Sequence, residues 1–317
     1  MATIGTDIKQ AIALLQAGQL VAIPTETVYG LGGNALNAEA VAQIFSVKER
    51  PSFDPLIVHV AHFASMELWT SNVPAKAKIL AEQFWPGPLT LLLPRKSVIP
   101  DLVTSGLDTV GIRCPDHSLT RQLLEAIPFP LAAPSANPFG YISPTTALHV
   151  QDQLGNKIPY ILDGGECRVG IESTIVGFEG TDVVVYRLGG LSLERLEAAI
   201  GPVAVRLNTS SNPVAPGQLH SHYAPRKKLI LGNIDNLLAE YGSSAAVLGF
   251  TKKRHLVDEG HQRILAPSAS LLEAAQNLFG MLRELDQSDA SIILAELVPE
   301  IDLGRAINDR LRRAAAR

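Results

Sequence analysis

The chain has 317 residues and a formal net charge of −4 at pH 7, and 46% of its residues are hydrophobic while 18% are charged. These values predict a compact protein of about two domains, and they argue against a sequence-independent nucleic-acid coat, because neutralising phosphates requires a basic face. Cys114 and Cys167 are too few for a disulfide framework or a four-cysteine metal site, and we expect both to be reduced in the cytoplasm.

Near the N-terminus, Ile8, Ile12 and Leu15 recur at helical spacing. This pattern predicts an amphipathic helix and not a signal peptide. Further along, no segment approaches the roughly 20 apolar residues that cross a bilayer, so we expect no membrane association.

A strand candidate over residues 20–23 leads into the segment 24–35, which reads Pro-Thr-Glu-Thr-Val-Tyr-Gly-Leu-Gly-Gly-Asn-Ala. Its glycines allow a ligand to approach the backbone, and hydroxyls such as that of Thr27 can bind the ligand. The glycines also fit a dinucleotide-binding fingerprint, but there the first glycine follows the strand at once and the glycines open a helix. Here a polar hexapeptide intervenes and the next helical pattern begins after Asn37. The segment therefore favours a small-molecule site over an NAD site, with a plain polar turn as the alternative.

Two cations, Lys48 and Arg50, precede Pro51 and a strand candidate over residues 56–60 that contains His59. Because the residue before a proline is driven out of the helical region, we expect residues 48–50 to be extended with both cations on one side. Such a pair suits a polyphosphate, since arginine grips oxygens with a planar fork and lysine acts as a point charge. A solvated turn at a helix end is the alternative.

Polar residues also end several later apolar strand candidates. Arg113 closes a strand near residue 110, Ser135 and Asn137 follow an apolar run at 131–133, and Arg187 closes another strand. Ligands bind at strand ends in open α/β sheets, so these residues predict a carboxylate or phosphate site. Turn capping by Ser135 and Asn137, and surface ion pairs of the arginines, are the alternatives.

The alternation of helical and strand patterns predicts an α/β sheet domain over residues 1–207. Residues 208–228 are turn-rich and predict a linker, whose close pair His220 and His222 lacks further metal-ligand residues nearby, so we expect no metal site. Strand candidates at 229–231, 245–250 and 292–297, with helical patterns at 236–241 and 271–285, predict a small parallel α/β domain over 229–317. A last helix over 305–316 is expected to place its arginines, 310–313, on the solvent face.

Taken in order, the motifs resemble those of the YrdC-like threonylcarbamoyl-AMP synthases in their long two-domain form. The motifs that carry the resemblance are Pro-Thr-Glu-Thr-Val-Tyr-Gly-Leu, Lys48-x-Arg50, Trp85-Pro-Gly-Pro-Leu-Thr90, Val110-x-Ile-Arg113-x-Pro115, Ser135-x-Asn137, Ser143-Pro-Thr-Thr146, Glu172-Ser-Thr174, Arg187-x-Gly189 and His222-Tyr223-Ala224-Pro225. The resemblance implies a twisted open α/β sheet with a concave cavity, followed by a small Rossmann-like parallel α/β domain.

The resemblance also implies an activity. L-threonine, bicarbonate or CO2, and ATP would give L-threonylcarbamoyladenylate and pyrophosphate, for the modification of tRNA at position 37. It implies Mg2+ bound with ATP, no organic cofactor, a downstream threonylcarbamoyl transferase as partner and tRNA as a candidate partner. A non-catalytic RNA-binding module and a carbamoyltransferase that forms a carbamoyl adenylate remain alternatives.

Site residues follow from the same resemblance. The threonine pocket would comprise Thr27, His59, Arg113, Ala133 and Ser173. The ATP site would comprise Arg50, Asp54, Thr109, Ser135, Ser143, Arg187 and Tyr223. The catalytic signature would be Lys48, Arg50, Ser135 and Asn137. Tyr223 lies in the predicted linker, which is therefore expected to cover the cavity as a lid. Two positions depart from the usual family pattern: Phe139 stands where a serine is common, and Asp54 where asparagine is common.

Overall fold

The structure is a computed structural model that describes residues 1–207, 215–216 and 221–316. Of the predicted linker 208–228, residues 208–214 and 217–220, including His220, lie outside the described residues. The described chain forms two β-sheets, the first from residues up to 205 and the second from residue 228 onward. We call residues 228–316 the C-terminal unit.

The first sheet is mixed, with strand order β1-β8-β2-β3-β7-β4-β6-β5-β9-β10-β11. Among the described residues its strands are β1 Thr3–Gly5, β2 Val21–Ile23, β3 Gly30–Asn34, β4 Ile57–His59, β5 Leu89–Pro94, β6 Thr109–Arg113, β7 Leu131–Ala132, β8 Tyr160–Leu162, β9 Thr174–Glu179, β10 Asp182–Arg187 and β11 Ala204–Val205. The strands are short and their side chains are mostly buried, as expected for a sheet covered on both faces.

Eight described helices accompany this sheet: α1 Ile8–Gln16, α2 Ala38–Lys48, α3 Met66–Trp69, α4 Ala75–Phe84, α5 Asp101–Thr104, α6 Ser118–Ala126, α7 Ala147–Leu154 and α8 Leu193–Ile200. The first two begin where side chains cap them. Asp7 accepts hydrogen bonds from the backbone of Lys9 and Gln10, and Asn37 does the same for α2. These bonds satisfy amides that lack a partner inside the helix, which explains the helix starts.

The glycine-rich segment is a strand. β3 Gly30–Asn34 pairs antiparallel with β2, and α2 begins only after Asn37. Its glycines therefore do not open a helix, and the dinucleotide-binding interpretation is excluded for this segment. Close packing explains one of them, since a Cβ at Gly33 would approach the side chain of Leu20 to 2.8 Å.

The C-terminal unit contains a four-stranded, fully parallel sheet of order β12-β15-β13-β14. Its described elements are β12 Lys228–Leu231, α9 Ile234–Tyr241, β13 Ala246–Gly249, β14 Gln262–Ile264, α10 Leu271–Gln287, β15 Ile292–Ala295 and α11 Gly304–Ala315. The parallel strand-helix alternation predicted from the sequence is confirmed. The sequence analysis missed β14, because its three residues, Gln-Arg-Ile, form no apolar run.

The prediction for the last helix was wrong. Of its arginines, Arg310 and Arg313 are buried, whereas Arg312 is exposed. Arg310 donates from Nε to the Glu172 carboxylate of the first sheet domain, 3.1 Å away. This face of the helix is therefore packed inside the molecule. The charge of Arg310 can be buried there because the Glu172 carboxylate, across the domain boundary, compensates it.

Within the ranges that the structure describes, none of the helices is long and apolar enough to cross a membrane.

Candidate active site

A cavity opens beside the first sheet. The residues that line it are Val28, Arg50, Pro55, Ile57, His59, Arg113, Ala133, Pro134, Ser135, Glu172, Arg187, Pro216, His222 and Tyr223. Seven of the predicted site residues are among them: Arg50, His59, Arg113, Ala133, Ser135, Arg187 and Tyr223. They come from segments far apart in sequence, so folding brings them together.

The sheet topology explains this convergence. β4 and β6 are parallel neighbours, and His59 is the register partner of Arg113. β7 pairs with β4 and leads directly to Ala133 and Ser135. His59 and Arg113 therefore end their strands side by side, whereas Ala133, because β7 runs antiparallel to β4, lies beside Ile57 at the start of β4. The cavity spans the length of the three-residue strand β4 and so takes in both ends.

The prediction that residues 48–50 are extended was wrong. α2 continues to Lys48, Glu49 adopts a left-handed conformation with φ of 56°, and the Arg50 amide donates back to Phe45. The turn sends the two cations in different directions. Lys48 Nζ is buried and donates to the carbonyls of Ser135, at 2.5 Å, and Asn137, at 2.6 Å.

Lys48 and Asn137 do not line the cavity and instead hold the loop that carries Ser135. Burial lowers the pKa of Lys48 well below its usual range, and nearby Arg50 lowers it further. Asn137 Nδ2 donates to the carbonyls of Pro138 and Tyr141 within the same loop. These two residues of the predicted catalytic signature therefore support the loop from behind.

Arg50 is fixed by its own turn. Nε donates to the carbonyl of Asp54, at 3.0 Å, and Nη2 donates to the carbonyl of Pro55, at 2.8 Å. The Asp54 carboxylate lies 2.9 Å from Nη2 and is fully buried. Burial lowers the pKa of Arg50 and raises the pKa of Asp54. Asp54 therefore acts on the cavity through Arg50, which it orients, and does not line the cavity itself.

Arg187 is held in a similar way. Nε and Nη2 donate to the carbonyl and the hydroxyl of Ser173, both at 3.0 Å, and Nη1 donates to the carbonyl of Pro216. The Ser173 hydroxyl lies 2.8 Å from that of Thr90. Burial lowers the pKa of Arg187. Ser173, predicted as a threonine ligand, thus lies behind Arg187 and not on the cavity wall.

Arg113 has a carboxylate partner that the sequence analysis did not single out. Its Nη2 lies 2.8 Å from Oε2 of Glu26, and both side chains are buried. Glu26 is the one acid in the segment 24–35, which was the signal that could have identified it. Thr27 is fully buried, its hydroxyl lies 2.9 Å from that of Thr25, and it does not line the cavity. Arg113 therefore reaches the cavity with one buried carboxylate, that of Glu26, already bound to its guanidinium.

Glu172 is a second carboxylate that the residue assignments missed, although it lies in one of the quoted motifs. Oε1 accepts a hydrogen bond from Ser143, at 2.6 Å, and Oε2 faces Arg310. Ser143 is consequently turned toward Glu172 and is not among the cavity-lining residues. Thr109 opens β6, opposite Pro94 on β5, and does not line the cavity either.

Three residues from the predicted lid line the cavity: Pro216, His222 and Tyr223. Tyr223 has a positive φ of 63° and stacks on Phe279 of the C-terminal unit, with 5.6 Å between ring centroids. Burial raises the pKa of Tyr223 to about 12, and burial together with Arg50, Lys48 and Arg187 lowers the pKa of His222 well below its usual value. The His222 ring is therefore neutral although it sits among cations.

The charges around the cavity favour anionic ligand groups. Arg50, Arg113 and Arg187 all reach one cavity, which Glu172 also lines. Asp54 already pairs with Arg50 and Glu26 with Arg113, whereas Lys48 and Arg187 have no carboxylate within ion-pair distance among the described residues. Burial lowers the pKa of His59 to about 3, so its ring adds no charge at neutral pH. Within residues 1–207, 215–216 and 221–316, no three or more His, Cys, Asp or Glu side chains are grouped to hold a metal ion. Excess buried positive charge of this kind favours phosphates and carboxylates.

Known proteins resemble the chain over nearly its whole length. Residues 13–189 match the Sua5/YciO/YrdC family model, which carries the description "Telomere recombination", and residues 191–316 match the C-terminal domain of threonylcarbamoyl-AMP synthase. The threonylcarbamoyl-AMP synthase of Pyrococcus abyssi is 41% identical, over 97% of this chain and 94% of its own. That of Bacillus subtilis is also 41% identical, over 99% and 94%.

Solved structures show the same similarity. The crystal structure of Pyrococcus abyssi Sua5 complexed with L-threonine superimposes with a TM-score of 0.91 at 40% identity, over 97% of this chain and 94% of the other. The structure of Escherichia coli YciO matches with a TM-score of 0.53 at 21% identity, over 60% of this chain and 96% of the other, which is a likeness of fold. The match to Sua5 therefore spans both sheets.

Proposed function

The chain belongs to the Sua5/YciO/YrdC family of threonylcarbamoyl-AMP synthases, and from this premise we propose that it makes L-threonylcarbamoyladenylate from L-threonine, bicarbonate or CO2, and ATP. Pyrophosphate is the second product. The observation that carries the proposal is the convergence of Arg50, Arg113 and Arg187 on one cavity. A nucleoside triphosphate and an amino-acid carboxylate together supply the negative charge that these side chains need.

The chemistry requires positioning and charge neutralisation. The threonine amine attacks the carbon of CO2 and loses a proton, which gives a carbamate. A carbamate oxygen then attacks the α-phosphorus of ATP, and the bond to the bridging oxygen breaks as pyrophosphate leaves. No side chain forms a covalent bond in these two reaction steps. The protein contributes fixed guanidinium groups and the exclusion of water.

The two substrates divide the arginines between them. We place the threonine carboxylate at Arg113, near His59 and Ala133, since all three line the cavity and His59 is the register partner of Arg113. The triphosphate then lies toward Arg50 and Arg187. Backbone carbonyls accept hydrogen bonds from each guanidinium and so fix the directions of its remaining N–H groups. Tyr223 and His222 cover this end of the cavity.

Magnesium fits this arrangement as an ion that enters with ATP. Proteins commonly bind Mg2+ through substrate phosphates, water and one or two carboxylates. Glu172 lines the cavity, whereas the Asp54 carboxylate is buried and paired with Arg50. We propose that Mg2+ would be held mainly by the phosphates and water, with Glu172 as the nearest carboxylate, and that no organic cofactor takes part.

The product is a mixed anhydride of a carbamic and a phosphoric acid, and water hydrolyses such a compound readily. We propose that a downstream threonylcarbamoyl transferase accepts it and modifies the adenosine at position 37 of tRNA, in the cytoplasm. Cys114 and Cys167 are both free and buried, so no disulfide among the described residues speaks against a reducing compartment.

The direct experiment incubates the protein with labelled threonine, bicarbonate, ATP and Mg2+, and detects the labelled adenylate by rapid chromatography. Pyrophosphate should form only when all substrates are present. Pyrophosphate formation that is independent of threonine would contradict the proposal. Formation of an adenylate from carbamoyl phosphate instead would support the carbamoyltransferase alternative, and tRNA binding without any ATP turnover would support the RNA-binding one.

A further inference from the structure

Phe139 lies between an arginine of the cavity and the segment that closes it. Its ring centroid is 5.9 Å from the guanidinium carbon of Arg50. On its other side it meets the His222 ring edge-on, with 5.8 Å between centroids and 85° between planes. Aromatic faces attract cations, and the edge-to-face arrangement is favourable between rings. One side chain thus contacts both partners, although it does not line the cavity itself.

The backbone around Phe139 links the same two regions. Its amide donates to the carbonyl of Lys48 at the end of α2, at 2.8 Å, and the carbonyl of Gly140 accepts a bond from the amide of Ala224, at 2.9 Å. Asn137 braces the loop from inside through Pro138 and Tyr141. The loop is therefore anchored to the first sheet domain and holds residues 222–224, which we call the closing segment.

His222 needs such support. Its ring is neutral, the charged groups that face it are the cations Arg50, Lys48, Arg187 and Arg313, and its Nδ1 is buried without a hydrogen-bond partner. Ionic attraction therefore does not hold the ring in place. The ring is positioned by its contacts with Phe139 and with the Tyr223 ring, 4.1 Å away between centroids, while the His222 backbone amide donates to the carbonyl of Arg313, at 3.3 Å.

We propose that Phe139 is a positioning residue for ATP, which couples binding of the triphosphate at Arg50 to closure of the segment 222–224. The inference rests on the proposed function, because it needs a phosphate at Arg50. If ATP binds tightly only when the segment is closed, the apparent affinity for ATP equals the affinity of the closed state multiplied by the fraction of molecules that are closed. Phe139 raises that fraction and keeps the Arg50 guanidinium facing the cavity.

Phe139→Leu tests this, because leucine keeps the apolar volume and removes the ring. Phe178→Leu is the matched control, since Phe178 is also partly buried but lies in β9 and faces neither Arg50 nor His222. Two quantities are measured on the full chain: the dissociation constants of Mg-ATP and of threonine by calorimetry, and hydrogen exchange of the Ala224 amide with and without ATP.

ATP should slow exchange at Ala224 in the unaltered protein and in Phe178→Leu. In Phe139→Leu the dissociation constant of ATP should rise about tenfold, the slowing should disappear, and threonine binding should stay unchanged. Phe139→Tyr, which restores a ring, should recover most of the ATP affinity and supplies a second variant if the leucine variant fails to fold.

Three results would overturn the inference. Unchanged ATP affinity in Phe139→Leu would do so, as would equal losses of ATP and threonine binding, which would indicate general damage to the site. A protein with its natural Phe139 that binds no ATP would overturn the proposed function together with this inference, so the two failures are distinguishable.

Discussion

Arg310 of α11 donates a hydrogen bond from Nε to Oε2 of Glu172, at 3.1 Å. Glu172 lies on the other side of the domain boundary, where it lines the cavity. The Arg310 side chain is fully buried. Its guanidinium carbon also lies 5.3 Å from the ring centroid of Tyr223, and Nη1 donates to the carbonyl of Leu188. The C-terminal unit thus contacts the acid and the aromatic residue of the candidate active site through one arginine.

Replacing Arg310 by alanine should therefore damage stability and activity together. It leaves the Glu172 carboxylate buried without its cation, a loss that typically costs about 3–5 kcal/mol. Arg312→Ala is the control, since this arginine on the same helix forms an exposed pair with Glu300, worth about 1 kcal/mol or less. Urea unfolding and threonine-dependent pyrophosphate release measure both effects. Equal stability of the two variants would show that the buried pair does not hold the domains together.

A second prediction separates Arg50 from its own counter-ion. Arg50→Ala removes charge-assisted hydrogen bonds to the triphosphate, which are worth about 1.5–3 kcal/mol each, so kcat/KM for ATP should fall by at least about tenfold. Asp54→Asn should retain activity, because the backbone carbonyls of Asp54 and Pro55 still orient the guanidinium. Steady-state kinetics with varied ATP checks both variants. An Asp54→Asn variant as inactive as Arg50→Ala would place the carboxylate itself in the reaction.

Much of the fold followed from local patterns. The helix starts at Ile8 and Ala38 were predictable because Asp7 and Asn37 cap them, and the parallel C-terminal sheet was predictable from the strand-helix alternation. The left-handed turn at Glu49 was not, because it accompanies hydrogen bonds of Lys48 with residues 135–139, which lie far away in the sequence. Proline at position 51 was therefore a poor guide to the geometry of Lys48 and Arg50.

The site was predictable to the level of its segments and not to the level of contacts. Arg50, Arg113 and Arg187 were identified as cavity residues, since each follows a strand or helix end. Lys48 and Ser173 were in the right segments but support the cavity from behind, a distinction that depends on side-chain direction. The burial of Arg310 was missed because its partner, Glu172, lies 138 residues away in the chain.

A third prediction concerns threonine recognition by Arg113. Arg113→Lys keeps the positive charge opposite Glu26 but loses the planar fork that grips a carboxylate with two parallel bonds. KM for threonine should rise by about tenfold with KM for ATP unchanged. Arg121→Lys, in a partly exposed pair with Glu125, is the control and should alter neither constant. A larger effect on ATP than on threonine would reverse the assignment of the two subsites.

The last prediction is a loss of stability in mild acid that has a specific cause. Burial lowers the pKa of His59 to about 3 and that of His149 to about 4, whereas an unfolded histidine titrates near 6.5. Between those values the unfolded state binds more protons than the folded state, so the free energy of unfolding must fall as pH falls below about 6.5. Each such histidine contributes at most about 1.4 kcal/mol per pH unit. Urea unfolding over this range should give a shallower pH slope for His59→Gln than for the unaltered chain. An unchanged slope in His59→Gln would mean that the ring is protonated in the folded protein or is already neutral when unfolded.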